Sequence, residues 1–350
     1  MTTSQTVSVD ADRLTEWIGS DLPGRGLVRL ERIGQAFGVA NALYLVERDD
    51  PAAADGTARW VLRRPPAVVN APGASDIGRE WRLLTALEGT SVPHPTPLLH
   101  CADPEVIGAP FLLMSVVDGF TPVDVLPAPY NRPENRRALG LAMVDAIADL
   151  GNVDWRARGL EGLGRPEGFL ERQVGRWLRQ LDGYHTRDIP LLDTIADWLE
   201  RNRPAAGEAG ILHGDYSPFN VMASWTDPTR LAAVVDWDTG TVGDPLLDIG
   251  HLLARWAEPG EEAPIVRVDI ARREGLPTRA ELADRYVERS GRDLSAIRYY
   301  EVLSLFKLAI ILEGGVARLR AAGDPAGDER AAGVDRLFRH ADAFARGERT

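Results

Sequence analysis

The sequence predicts a two-lobed α+β protein, with a small antiparallel-sheet lobe in residues 1–115 and a mostly helical lobe in residues 116–350. Three observations predict it. At 350 residues the chain exceeds the size at which one core usually stays undivided. Its first third carries short runs rich in Val, Leu and aromatic residues, separated by turn-rich segments. From about Arg136 the apolar residues recur instead at helical spacing over long stretches.

Ala11 to Gly19 reads as a short opening helix, and Leu27 to Ile33, Ala42 to Glu47 and Arg59 to Arg64 as strands. Asp49 to Gly56 is a hairpin-type loop. Ile77, Trp81, Leu84 and Leu87 share one helical face, which predicts a helix over 77–87. The prolines of Val92 to Pro97 predict an irregular loop, and Phe111 to Met114 a short buried strand. The boundary between lobes falls near Ser115 to Gly119. Helices follow at Arg137 to Leu150, Phe169 to Leu181 and Leu191 to Arg201. Asp244-Pro245 reads as an N-cap with proline at the first helical position, opening a helix through about Ala254. Arg279 to Ser290, Tyr299 to Arg320 and, after a loop at Asp324 to Asp328, Arg330 to Ala345 complete the helical half.

Composition excludes several classes. A hydrophobic content of 44% and a charged content of 26% are those of a globular chain. A net charge of −12 argues against a nucleic-acid partner, which requires a basic footprint. The single cysteine, Cys101, precludes an internal disulfide framework or a thiolate metal cluster. Met1 to Ser20 carries no basic apolar signal and no run is apolar and long enough to span a bilayer, so the expectation is a cytoplasmic protein without membrane association. Lys307 is the only lysine among 40 basic residues.

The most specific stretch is His213-Gly214-Asp215-Tyr216-Ser217-Pro218-Phe219-Asn220. It matches H-x-D-x-x-x-x-N, the spacing of the kinase catalytic loop, with glycine where protein kinases carry arginine. In such a loop an aspartate accepts the proton of an attacking hydroxyl and an asparagine holds a magnesium ion against the phosphates. Asp215 and Asn220 are the candidates, with His213 bracing the loop from the core side. Ala233-Val234-Val235 then runs into Asp236-Trp237-Asp238, where the remaining magnesium-binding carboxylate belongs. Alternation does not separate Asp236 from Asp238. Asp236, directly after the apolar run, is the chosen ligand, and Asp238 is either a second ligand or a solvated neighbour. Asp248 lies in an apolar helix and needs partners if buried. Either it accepts hydrogen bonds from the main chain of His213 to Asp215, or it is a first-turn acid favoured by the helix dipole.

A kinase-type site also needs a cation on the third strand, paired to a helix glutamate. With no lysine in the first lobe that cation must be an arginine, and Trp60-Val61-Leu62-Arg63-Arg64 offers two; Arg63 is the choice and Glu80 its partner. Gly34-Gln35-Ala36-Phe37-Gly38 is the candidate phosphate-covering turn, through Gly34 and Gly38, although it lacks the full G-x-G-x-x-G. Met114, Ser115 and Val117 form a candidate hinge whose main chain would bond adenine.

With these residues in view, the chain resembles the aminoglycoside phosphotransferase family, whose fold is similar to that of protein kinases. The resemblance runs from about Leu30 to Arg320 and rests on His213-Gly214-Asp215 with Asn220, on Asp236-Trp237-Asp238 and on Gly243-Asp244-Pro245-Leu246-Leu247-Asp248. Val61 to Pro66, Val106-Ile107-Gly108 and Phe306-Lys307-Leu308-Ala309 are similar to the branch resembling the kinase domain fused to some acyl-CoA dehydrogenases. Gln35 to Asn41 departs from that branch's Gly-Gly-x-Ser-Asn pattern, which bears on the nucleotide loop and leaves the base and metal ligands untouched.

The resulting expectation is a phosphotransferase that uses ATP and Mg²⁺ to phosphorylate a hydroxyl of a small molecule, with Asp215 as base, Asn220 and Asp236 on the metal, and Arg63 on phosphate. The alternative is a catalytically inactive nucleotide-binding regulatory protein of the same fold. A metal hydrolase built on His213 and Asp215 is disfavoured, since six histidines supply no second ligand pair. The sequence does not name the acceptor.

Overall fold

The computed structural model describes residues 9–34, 41–65, 76–123, 126–264 and 274–348. The chain divides into two compact units. One comprises Met1–Gly89, His94–Asp118 and the short segment Asp236–Asp238; the other comprises Thr90–Pro93, Gly119–Val235 and Thr239–Thr350.

The first unit opens with helix α1 (Ala11–Ile18), capped by the Asp10 carboxylate, which accepts from the N–H groups of Asp12 and Arg13. Strands β1 (Arg25–Ile33), β2 (Ala42–Asp49) and β3 (Thr57–Arg64) follow, then helix α2 (Ile77–Leu87), strand β4 (Pro97–Cys101) and strand β5 (Phe111–Ser115). The five strands form one antiparallel sheet in the order β1-β2-β3-β5-β4. Tyr44, Val46, Trp60, Leu62, Phe111 and Leu113 line one face and pack on Leu14 and Ile18 of α1. Strand alternation therefore turns Arg63, next to Leu62, to the opposite face.

Strand β4 was not visible in the sequence, where prolines argued for a loop. Proline removes a ladder donor, and it is tolerated where it stands here, at the first residue of an edge strand.

The second unit contains α3 (Pro133–Gly151), α4 (Gln173–Asp182), α5 (Leu192–Arg201), α6 (Leu246–Arg255), α7 (Arg279–Ser290), α8 (Ile297–Ala321) and α9 (Ala326–Ala345). Four strands of three or four residues, β6 (Gly210–Leu212), β7 (Val221–Ala223), β8 (Leu231–Val234) and β9 (Thr241–Gly243), pair as β6-β9 and β7-β8. Strands so short carry no readable period, and only the apolar run in β8 was anticipated. Helix α8 is buried on nearly every side from Tyr299 to Val316, which places it at the centre of the unit. Helix α6 lies against it through Gly250, where a Cβ would stand 2.5 Å from the Tyr300 Cβ. No described helix is long and apolar enough to cross a membrane.

Two boundaries differ from expectation. Helix α6 begins at Leu246 with Pro245 in the cap position, yet Asp244 still accepts from the Leu246 N–H at 3.1 Å. Helix α9 begins at Ala326, with Pro325 in the cap position and Asp324 accepting from the Ala326 N–H at 2.9 Å, so it takes in part of what was read as a loop.

Candidate active site

The loop from His213 to Asn220 bridges β6 and β7 and is held by main-chain and side-chain bonds throughout. The Asp248 carboxylate, 2% exposed, accepts from the N–H of His213 at 2.6 Å and of Gly214 at 2.8 Å. Asp248 is therefore the buried anchor of the loop rather than a solvated first-turn acid, and burial pushes its carboxyl up against the pull of His213, the two main-chain donors and Lys307. His213 is fully buried; its Nδ1 accepts from the Asp215 N–H and its Nε2–H donates to the Val235 carbonyl at 2.9 Å. Thr239 Oγ1 donates to the His213 carbonyl, and Lys307 Nζ donates to that of Gly214. Asn220 Nδ2 donates to the Asp215 carbonyl at 2.8 Å and lies 3.3 Å from Asp215 Oδ2, which assigns the other amide atom, Oδ1, as an oxygen donor for a ligand.

Glycine is required in this loop. Gly214 has φ +83°, and a Cβ there would stand 2.8 Å from the Thr239 carbonyl oxygen. Gly214→Ala is expected to destabilise the protein by about 1–3 kcal/mol, the cost of a strained backbone position. Urea unfolding of the variant beside the wild type measures it.

Asp215 itself is partly open to solvent, while its partners are not. Oδ1 accepts from His251 Nε2 at 3.0 Å and from Arg255 NH2 at 3.2 Å, both side chains being buried. Burial alone would raise the Asp215 carboxyl, but the His251 bond and the charges of Arg255 and Lys307 hold it well below the usual carboxylate range. Burial, reinforced by Arg255, pulls the His251 imidazole from 6.5 down to about 3. Unfolded chains protonate at this position first as the pH falls, so the stability contributed is complete above about 6.5 and is lost on acidification towards 3. Between pH 6.5 and 5 the loss is about 2 kcal/mol, at 1.36 kcal/mol per unit. His251→Leu should reduce the difference in unfolding free energy between pH 7 and pH 5 by that amount.

The first unit holds a separate constellation. Arg63 is buried, with Nε 2.8 Å from Glu80 Oε2, NH2 2.6 Å from Asp236 Oδ1 and 3.8 Å from Asp238 Oδ2. Arg64, turned to the core face, donates instead to the Ile107 carbonyl at 3.0 Å. Alternation thus separates the two arginines, and the one opposite the core reaches both carboxylates. Burial pushes Glu80 up to about 7 in spite of Arg63. Asp236 has φ +67°, one of two described non-glycine residues in the left-handed region, and Trp237 to Thr239 is a 3₁₀ turn. The strand ends before Asp236, so strand alternation does not govern which acid is presented; the left-handed residue redirects the chain, and Asp236 takes the shorter contact to Arg63.

Among the remaining candidates, Gly34 follows β1 with φ +78°, and residues 35–40, including Gly38, lie outside the described residues. Met114 is paired in the sheet with Val61 and Pro97, and the Ser115 N–H donates to the Thr96 carbonyl at 2.9 Å. Val117 lies beyond the strand.

His251, Arg255 and Lys307 escaped the sequence reading. One signal was present for the first two: with Asp248 they stand at i, i+3 and i+7, a polar stripe along an otherwise apolar helix. Lys307 is likewise a lone cation in the apolar run Leu303 to Leu312.

Known proteins resemble this chain in sequence and in fold. A family profile described as the phosphotransferase enzyme family, APH, matches residues 36–284. Acyl-CoA dehydrogenase family member 11 of Rattus norvegicus is 31% identical over 320 residues, covering 88% of this chain and 39% of that protein. Member 10 of Mus musculus is 28% identical over 315 residues, covering 89% of this chain and 28% of that protein. The chain thus spans well under half the length of these relatives. A solved structure from Ralstonia eutropha, named as a candidate aminoglycoside phosphotransferase, superposes with TM-score 0.78 at 29% identity, covering 97% of this chain and 99% of that one. Choline kinase of Cryptosporidium parvum superposes with TM-score 0.65 at 11% identity over 97% of this chain and 96% of that one, a likeness of fold alone. By fold, by motif and by sequence, the chain belongs to the APH phosphotransferase enzyme family.

Proposed function

We propose that the protein transfers the γ-phosphoryl group of ATP to a hydroxyl of a small molecule, with Asp215 taking the acceptor's proton. The observation that supports this most is the loop itself: a partly open carboxylate on a main chain fixed by Asp248 and Lys307, with Asn220 beside it. Asn220 and Asp236 would hold a magnesium ion. Both offer hard oxygen donors, and the described residues form no His/Cys/Asp/Glu cluster that would hold a metal alone. Magnesium suits such a set, since it takes one or two protein oxygens and completes its shell with phosphate and water. When bound, the ion neutralises charge developing on the phosphates. Arg63, braced by Glu80, would contact phosphate, and the main chain of Met114 to Val117 would receive the base.

One observation favours a nucleotide-binding regulator without transfer activity: Arg63 already occupies Asp236 Oδ1. ADP release from Mg-ATP across a panel of hydroxyl-bearing metabolites and aminoglycosides separates the two. Acceptor-dependent ADP release is the expected result; nucleotide binding with no release under any acceptor would establish the regulatory reading.

A further inference from the structure

We propose that His251 and Arg255 are positioning residues that occupy Asp215 Oδ1, so that Oδ2 is the oxygen presented to the acceptor. This rests on reading Asp215 as the group that takes the acceptor's proton. In the transfer step the acceptor hydroxyl gives its proton to Oδ2 and its oxygen forms the bond to the γ-phosphorus. The bond from phosphorus to the bridging oxygen breaks, its electron pair leaving on the nucleoside diphosphate.

An aspartate carboxylate turns about a broad terminal torsion, so a loop that fixes only the main chain leaves its two oxygens interchangeable. Here they differ. Oδ1 receives two donors, at 3.0 Å from His251 and 3.2 Å from Arg255, whereas Oδ2 faces only the long 3.3 Å contact of Asn220. An ionised carboxylate can only accept, so Nε2 of His251 carries the ring proton. Among the described residues Nδ1 of that ring finds no hydrogen-bond partner. Burying an unpaired ring nitrogen costs stability, so a leucine would serve packing better. What the imidazole adds is the donor aimed at Asp215.

The same helix acts twice. Asp248, His251 and Arg255 lie at i, i+3 and i+7 of α6, on one face; the first fixes the main chain of the loop and the other two its carboxylate.

The test measures ADP release from Mg-ATP with water and with the panel member that gives the fastest release. The variants are His251→Leu, His251→Gln, Arg255→Met and Asp215→Asn, together with His251→Leu and Arg255→Met in the Asp215→Asn background. His251→Leu and Arg255→Met are expected to lower kcat about tenfold with KM for Mg-ATP unchanged, the scale of a misplaced catalytic group. His251→Gln, which keeps an N–H donor, should recover most of the rate. The melting temperature of His251→Leu at pH 7 should not fall below that of the wild type. Neither substitution should have a further effect once Asp215 is asparagine. Unchanged kcat in the two variants, equal losses in both backgrounds, or a loss of kcat that tracks a loss of thermal stability would overturn the positioning role alone. Full activity in Asp215→Asn, or a wild type that binds Mg-ATP and releases no ADP with water or any panel member, would overturn the reading of Asp215 and this proposal with it.

Discussion

Asp215→Asn is expected to lower acceptor-dependent phosphoryl transfer by about 10²–10⁴-fold while leaving nucleotide affinity unchanged, the range of a lost general base. Asparagine is preferable to alanine because of what surrounds the carboxylate. Arg255 and His251 both end on Oδ1, and a methyl group in its place would leave a buried guanidinium with nothing to accept from it. The amide keeps an acceptor in the same position and removes only the basicity and the charge. Isothermal titration with Mg-ATP and steady-state ADP release, run on the same preparation, give the two quantities. Turnover at the wild-type rate would remove Asp215 from the chemistry; loss of nucleotide binding would mean that the substitution had disturbed the loop instead. The strongly depressed ionisation of Asp215 makes it a weak base in the ground state. On the proposed reading such a group would orient the hydroxyl and receive the proton late, once the oxygen has begun to bond to phosphorus.

Much of this was legible in the sequence, and the boundary of legibility has a physical cause. Asp215 and Asn220 are five residues apart in one loop, so their relation is written locally. Arg63 was preferred to Arg64 on the sequence, and the structure supplies the reason: a strand alternates, and Leu62 beside Arg63 faces the core. Asp248 could be suspected since a carboxylate in an apolar helix demands partners. His251, Arg255 and Lys307 meet the loop across 36, 40 and 93 residues, and no local rule connects positions so distant. The polar stripe on α6 announces that something polar faces it without saying what. The short strands β6, β7 and β9 were missed for a related reason: three residues cannot display a period, and their pairing is set by the loops they close.

Arg63→Met is expected to destabilise the protein by about 3–5 kcal/mol, because removing one partner of a buried ion pair leaves the other uncompensated. Glu80 softens that cost. Its carboxyl stands near 7 with Arg63 in place and rises further without it, so it can take up a proton instead of remaining charged, and the loss should be largest well above pH 7 and level off as the medium is acidified to that value. The double variant Arg63→Met with Glu80→Leu then separates two roles that the single substitution confounds. Replacing both members of a buried pair by apolar residues of similar size is often neutral for stability, so urea unfolding of the double variant should return most of the lost free energy. Nucleotide affinity should not return with it, because the fork that would clamp phosphate is still missing. Recovery of both would make Arg63 a structural cation; recovery of stability alone is what a phosphate-binding arginine requires.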